Sequence, residues 1–284
     1  MSISDAMAAT SVSSVDLTRY VAVPDDITVA ETVTLMSAAG RSCACVLSGD
    51  DLVGIFTQRD VVQRVIGRPG SFNRPISEEM TRPVRTMRNS DSVADGLALM
   101  NHWWVRSVPV SDEDDRLVGN LSFYTVMDTI ANMLRSRISG SVGEATAHHG
   151  LTLVDFTGLN MSAPVIVNLD DPVEVAIHHM RARGIGSVLV VDERENLAGE
   201  LTEFHLQTRI GCNDSDLSKR LVRDVMDPNP ISLDARSAIA DGISELLSHE
   251  VSHVPLTGES GRPVGVASFR DIAMYVETIL ETLG

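Results

Sequence analysis

In two places an apolar run closes on a glycine frame in which a hydroxyl residue is followed three positions later by an acid. "GIFTQRD" carries Thr57 and Asp60, and "GVASFRD" carries Ser268 and Asp271. A carboxylate so placed can accept hydrogen bonds from both hydroxyls of a vicinal diol, and a hydroxyl at a helix start can share an anion with backbone N–H groups. Arg59 and Arg270, one residue before each acid, add a guanidinium suited to phosphate oxygens and equally to surface ion pairs. Helix capping alone would also use a hydroxyl and an acid at this spacing, but it accounts less well for the return of the acid in two separate copies. Two further copies, "GNLSFYT" and "GELTEFH", keep Ser122 and Thr202 but have Thr125 and His205 where the acid stands. Loss of a charged acceptor costs roughly 1.5–3 kcal/mol, about tenfold to a hundredfold in affinity, so two competent frames are expected rather than four.

The frames open at Gly54, Gly119, Gly199 and Gly265, with spacings of 65, 80 and 66 residues, so two matched pairs are separated by a longer join. The join, "SGSVGEATAHHG" at 139–150, is small and polar without apolar periodicity. Each of the four units has the same order of signals. An extended segment precedes a helix start, with capping boxes in "TVAE" (Thr28, Glu31) and "SVAD" (Ser92, Asp95), and "DPVE" offering Asp171 as the cap. Short β-branched runs such as "VRSVPV", "IGSVLVV" and "VSHVPL" then lead through polar turns into the glycine frame, and helical spacing follows in "DVVQRVI" and "DIAMYVETILETL". The unit is therefore β-α-β-β-α. At roughly 50–60 residues it buries too little surface to stand alone, whereas two units packed sheet against sheet make a domain of about 120 residues. The expected architecture is α+β, with two modules at 16–138 and 151–284, a 139–150 linker, and residues 1–15 as a flexible N-terminal tail.

A net charge of −16 repels a nucleic-acid backbone. No apolar run approaches 18 residues, so no membrane span is expected, and the first fifteen residues lack the basic start and apolar block of a secretory signal. Cys43, Cys45 and Cys212 make no disulfide framework, which points to a reducing cytoplasm. Cys43 and Cys45 share one strand face and read as buried core, since no ligand cluster completes a metal site. His148, His149, His178 and His179 have no i, i+4 partner arranged for zinc and read as linker and helix surface. Adjacent Trp103 and Trp104 cannot both face inward from a helix end; one packs, and the other marks a module or subunit contact. No catalytic constellation stands outside the repeats, so no enzyme is expected.

With "MTRPVRTM", "MSAPVIVN" and "VMDPNPISL" at unit starts, "SVPV" and "HVPL" at the middle strand, and four glycine frames in register, the sequence resembles the cystathionine β-synthase (CBS) domain family. The resemblance covers nearly all of residues 16–282, as four CBS motifs in two tandem pairs, or Bateman modules. It implies repeated CBS units packed sheet to sheet, with clefts between units where many relatives bind adenosine compounds. In the family the hydroxyl of the frame meets phosphate and the acid meets ribose, which here assigns those roles to Thr57 and Asp60 and to Ser268 and Asp271. Arg59 and Arg270, and Arg85 or Arg106 from the facing unit, could reach phosphates. Val21 and Val23 in the first unit, and Pro230, Ile231, Val254 and Pro255 in the fourth, would line the adenine, although core is the better reading for the valines. The function implied is cytoplasmic sensing of AMP, ADP, ATP or S-adenosylmethionine, with no cofactor required. A homo-oligomer through the modules or a separate protein target would transmit the signal. The alternatives are a ligand-free scaffold, or a regulatory subunit of a separate enzyme or transporter.

Overall fold

The structure, a computed structural model, describes residues 3–138, 155–158, 163–210, 216–272 and 274–275. It contains four three-stranded sheets, one per unit, each with its first strand parallel to the second and the second antiparallel to the third. In the first unit, β1 (Val21–Pro24), helix α2 (Val29–Ala38), β2 (Cys43–Ser48) and β3 (Asp51–Thr57) lead into α3 (Gln58–Asp60) and a π-helical turn at Val61–Val65. The second unit runs β4 (Met87–Arg88), α5 (Val93–Trp103), β5 (Ser107–Ser111), β6 (Leu117–Ser122) and α6 (Phe123–Ile138). The third comprises β7 (Ile166–Asn168), α7 (Val173–Arg183), β8 (Ser187–Val191), β9 (Leu197–Thr202) and α8 (Glu203–Arg209). The fourth comprises β10 (Leu233–Asp234), α10 (Ile239–Ser248), β11 (His253–Thr257) and β12 (Pro263–Ser268), with helical residues from 269. Short helices precede the second and fourth units, α4 (Ile76–Glu79) and α9 (Val222–Val225).

Local sequence explains the elements. Thr28 and Glu31 form the expected box: Glu31 Oε2 accepts from the Thr28 N–H and hydroxyl, each at 2.8 Å. Val29, Val33 and Met36, spaced i, i+4, i+7, bury one face of α2. In the third unit the cap differs from expectation. Helix α7 begins at Val173 with Pro172 as its cap, because the Asp171 carboxylate is turned back to accept from the Asn168 N–H at 2.7 Å.

The segments leading into the first, second and fourth units each cross to the other unit of the pair. Leu17 carbonyl accepts from the Asn120 N–H of β6 at 2.9 Å, while Ile55 of β3 exchanges two backbone bonds with Thr81, at 2.8 and 3.2 Å. Glu200 of β9 does the same with Asp227, at 2.8 and 3.0 Å. This exchange supplies the reason for the glycines. A Cβ on Gly54 would lie 2.0 Å from Met80 Sδ, on Gly119 2.4 Å from Leu17 Cβ, and on Gly199 2.7 Å from the Asp227 carbonyl. Only a residue without a side chain lets the crossing segment lie on the strand.

The exchange also corrects the reading of residues 1–15 as a flexible tail. Helix α1 (Ile3–Ala9) packs on α5 and α6, Met7 and Val12 are buried in the core, and Val12 N–H donates to Asp91 carbonyl at 2.8 Å. Ala6, Met7 and Val12 are buried and Val15 packs beside them, so the apolar residues interleaved with the serines dock the segment on the core.

Two cores result, and each joins units across the two halves of the chain. One holds Val33, Phe56 and Ile66 of the first unit with Ile177 and Met180 of the third; the other holds Leu97 and Met127 of the second with Ile243 and Leu246 of the fourth. These are the helix-side faces of the sheets. The opposite faces meet within a pair: Cys43 and Ser107, the first residues of β2 and β5, lie side by side. Cys43 and Cys45 are buried on that face, as expected, and burial pushes the Cys43 thiol up to about 11, so it is not a reactive thiolate.

Candidate ligand-binding centre

All four frames begin a helix, and all four cap it. Thr57 N–H and hydroxyl donate to Asp60 Oδ2 at 2.8 Å each, and Ser268 does the same to Asp271 Oδ2 at 3.0 and 2.5 Å. In the third unit the His205 ring takes the acid's part, its Nδ1 accepting from Thr202 N–H at 3.3 Å. Burial first, and then the Arg209 charge, push that imidazole down to about 4, which keeps it neutral and able to accept. In the second unit Thr125 N–H donates to Ser122 Oγ at 3.1 Å, and the Thr125 hydroxyl donates to the Asp16 carbonyl of the crossing segment at 3.0 Å.

The two acids differ in what remains free. Asp60 Oδ1 is held by Arg64, one helical turn on, at 2.6 Å, and Arg64 also donates to the Thr81 hydroxyl of the crossing segment at 2.9 Å. Both oxygens of Asp60 are thus engaged within the protein, so a diol would have to displace Arg64. Asp271 Oδ1 has no hydrogen-bond or ion-pair partner among the described residues.

The exchange also regroups the residues expected around an adenine. Pro230 and Ile231 continue from Asp227, which lies against β9 of the third unit, whereas Ser268 and Asp271 belong to the fourth. Val21 and Val23 sit in β1, at the sheet edge away from the strand that carries Thr57, and Val23 is a core residue. Val254 likewise faces the helices in the core, while Pro255, opposite Val266, lies on the other face. A cavity of about 350 Å³ lies instead between β3 and the crossing segment of the second unit, lined by Val53, Pro83, Val84 and Thr86. A second, of about 460 Å³, opens at the Thr125 frame.

Arg59, Arg106 and Arg270 converge where the four units meet. Arg59 Nη2 donates to the Gly184 carbonyl of the third unit. Arg106 Nη1 reaches Glu203 Oε2 at 2.7 Å, and its Nη2 comes so near Gly186 that a Cβ there would lie 2.5 Å away. The Arg270 guanidinium lies over Trp104 at 4.6 Å and over Phe123 at 5.8 Å. Burial, then the Arg106 charge and then that of Arg59, lower the pKa of Arg270 from its ordinary value. Burial also pushes His253, beside Gly186, down to about 3, with Arg106 adding to the effect. Arg85 is elsewhere, over the ring of Trp103 at 4.6 Å.

Residues 12–67, 76–132, 156–211 and 222–278 each match the model of the CBS domain. The chain belongs to the CBS domain family. Its four CBS motifs form two tandem pairs, and each contains one of the four sheets. Among relatives, an uncharacterized 33.4 kDa protein in the ribosomal RNA operon of Thermofilum pendens is 27% identical over 200 residues, 68% of this chain and 63% of that one. The CBS domain-containing protein CBSCBSPB3 of Arabidopsis thaliana is 26% identical over 277 residues, 86% of this chain and 48% of that one. The chain therefore spans less than two thirds of the length of either. Among solved structures, a Methanocaldococcus jannaschii protein described as an archaeal homologue of g-AMPK superposes with a TM-score of 0.75 at 15% identity, covering 92% of this chain and 97% of that one. An uncharacterized conserved protein from Pyrococcus horikoshii gives 0.52 at 16% identity, covering 83% and 91%.

Two CBS residues of the centre escaped the sequence reading. Arg64 carries a signal, since an acid followed by arginine at i+4 in a helix is a pairing pattern. Glu203, the residue after the Thr202 cap, occupies a position filled by Gln58, Phe123 and Phe269 in the other CBS units, and only the assembled centre reveals its partner. Among the described residues no cluster of three or more His, Cys, Asp or Glu is placed to hold a metal ion, and no helix is long and apolar enough to cross a membrane. His178 and His179 lie on α7, His178 exposed; Cys212, His148 and His149 fall outside the described residues.

Proposed function

We propose that this chain is a non-catalytic regulatory CBS protein that senses an adenine nucleotide. The observation that carries the reading is the gathering of Arg59, Arg106 and Arg270 at one centre in a chain of net charge −16. Like charges brought together at a partly buried point raise the energy of the empty state, and a phosphate relieves it. Asp271 supplies the free carboxylate oxygen for a ribose, and Ser268 a hydroxyl for the phosphate beside Arg270. The likeness of the fold to an archaeal homologue of g-AMPK makes adenine nucleotides the first ligands to test. In this reading the first-unit frame, Thr57 and Asp60, is held closed by Arg64, and one frame dominates binding. Ligand transmits to a partner, a second copy or a separate enzyme or transporter, only if two packings of the units differ in affinity for it.

A second reading has its own support. Capping explains all four frames, and the Asp60–Arg64 pair leaves the first without a free acceptor, which favours a ligand-free scaffold. A melting scan with AMP, ADP, ATP and S-adenosylmethionine separates the two. A ligand at 100 times its Kd adds about 2.7 kcal/mol. Asp271→Ala removes most of that gain, and His205→Ala leaves it. If none of the four compounds moves Tm, the scaffold reading stands.

A further inference from the structure

Among the described residues, Glu203 is the one acid ion-paired with a converging arginine. Its side chain is 3% exposed, its Oε2 meets Arg106 Nη1 at 2.7 Å, and its Oε1 is buried with no hydrogen-bond partner. Its own N–H donates to the Gly186 carbonyl at 3.0 Å, so the backbone fixes where the carboxylate projects. The first turn of α8 begins at this residue, which holds the carboxylate at the meeting point of the four units rather than in solvent.

We infer that Glu203 acts as a built-in anion that sets how many phosphates the centre accepts; this rests on the nucleotide-sensing reading above. Arg106 pairs with Glu203, and Arg106 and Arg59 lie within Coulombic reach of Arg270, where Asp271, bonded to Ser268, offsets part of their charge. The excess is one or two positive charges. A single phosphate monoester, about −1.5 to −2, neutralises it. A di- or triphosphate brings further negative charge toward a buried carboxylate that has no proton donor on Oε1, and like charges there repel. The centre therefore selects a nucleoside monophosphate over its di- and triphosphate. Gln58, Phe123 and Phe269 at the matching positions carry no such charge, so the discrimination comes from the third unit alone.

Isothermal titration of the full chain with AMP and with ATP tests this, on the wild type and on Glu203→Gln, which keeps an acceptor for Arg106 but removes the charge. The wild type is expected to bind AMP more tightly than ATP. In the variant the ratio moves toward ATP by about tenfold. A wild type that prefers ATP, or a variant that binds both nucleotides with an unchanged ratio, overturns the role of Glu203 and leaves the sensor reading intact. Absence of binding by either nucleotide to the wild type overturns both. Should Glu203→Gln fail to fold, the wild type is titrated at low and high salt. An electrostatic preference narrows as salt rises, and a preference insensitive to salt overturns the inference.

Discussion

Gly119→Ala puts the crossing of the first segment to a quantitative test. The new Cβ would lie 2.4 Å from Leu17 Cβ and 3.0 Å from the Leu17 carbonyl oxygen. Carbon atoms in contact sit about 3.5–4.0 Å apart, so the crossing segment must retreat by more than about 1 Å. Neither obstacle is the tip of a flexible side chain. Overpacking of this kind costs about 1–3 kcal/mol, and the retreat stretches the 2.9 Å bond from Asn120 N–H to Leu17 carbonyl, worth about 0.5–1.5 kcal/mol. The expected loss is about 2–4 kcal/mol, with Tm falling by roughly 2–4 °C for each kcal/mol. Gly54→Ala costs less, since its nearest obstacle is the mobile thioether of Met80. The assay is a thermal melt of each variant within a double-mutant cycle using Leu17→Gly, which deletes the clashing Cβ. A coupling above about 1 kcal/mol is expected between positions 17 and 119. If the two substitutions instead add to within about 0.5 kcal/mol, the segment does not cross there and the account of the glycine frames fails.

Arg181→Ala removes the donors from Nε to Val62 carbonyl at 2.7 Å and from Nη2 to Ile66 carbonyl at 2.6 Å, which tie the third unit to the first. At about 1.5–3 kcal/mol for each bond to a charged group, discounted for partial exposure, melting should fall by several degrees. Glu200, buried between β9 and the crossing segment, has its carboxyl pushed up to about 8 by burial. The folded state then holds a proton that the unfolded chain has lost, so stability declines as pH rises from about 4.5 to about 8. Glu200→Gln flattens that decline, and denaturant titrations at pH 5 and pH 8 measure it. For His205 the sign reverses. Its pKa is lowered to about 4, so its contribution is lost as pH falls from 6.5 toward 4, and His205→Asn reduces the acid sensitivity of the melt across that window.

The repeat was legible because each unit writes the same local chemistry. Capping residues at Thr28 and Ser92, β-branched strand runs and a glycine frame act over a few residues, and four copies in register reinforce one another. The crossing of the lead segments was not legible, since it is a choice between two neighbours with the same surface and is settled by contacts between units, such as Leu17 with Asn120 and Ile55 with Thr81. Gly54, Gly119 and Gly199 held the trace of it: a glycine inside a strand signals a close backbone approach, but not by which segment. The serine-rich start misled for a related reason. Its five serines drew the eye away from Ala6, Met7, Val12 and Val15, which pack on the core of the second and fourth units. At the site, the acids were found and their availability was not. Asp60 and Asp271 are alike in sequence, and the difference between them lies four residues on, where Arg64 pairs with the first while Tyr275 cannot pair with the second. A substitution follows from that comparison. Arg64→Ala frees Asp60 Oδ1, and if a free carboxylate oxygen is what a frame needs to bind a ribose, the variant gains nucleotide-dependent stabilisation that survives Asp271→Ala. No gain in that double variant would mean that capping is the whole role of the first frame.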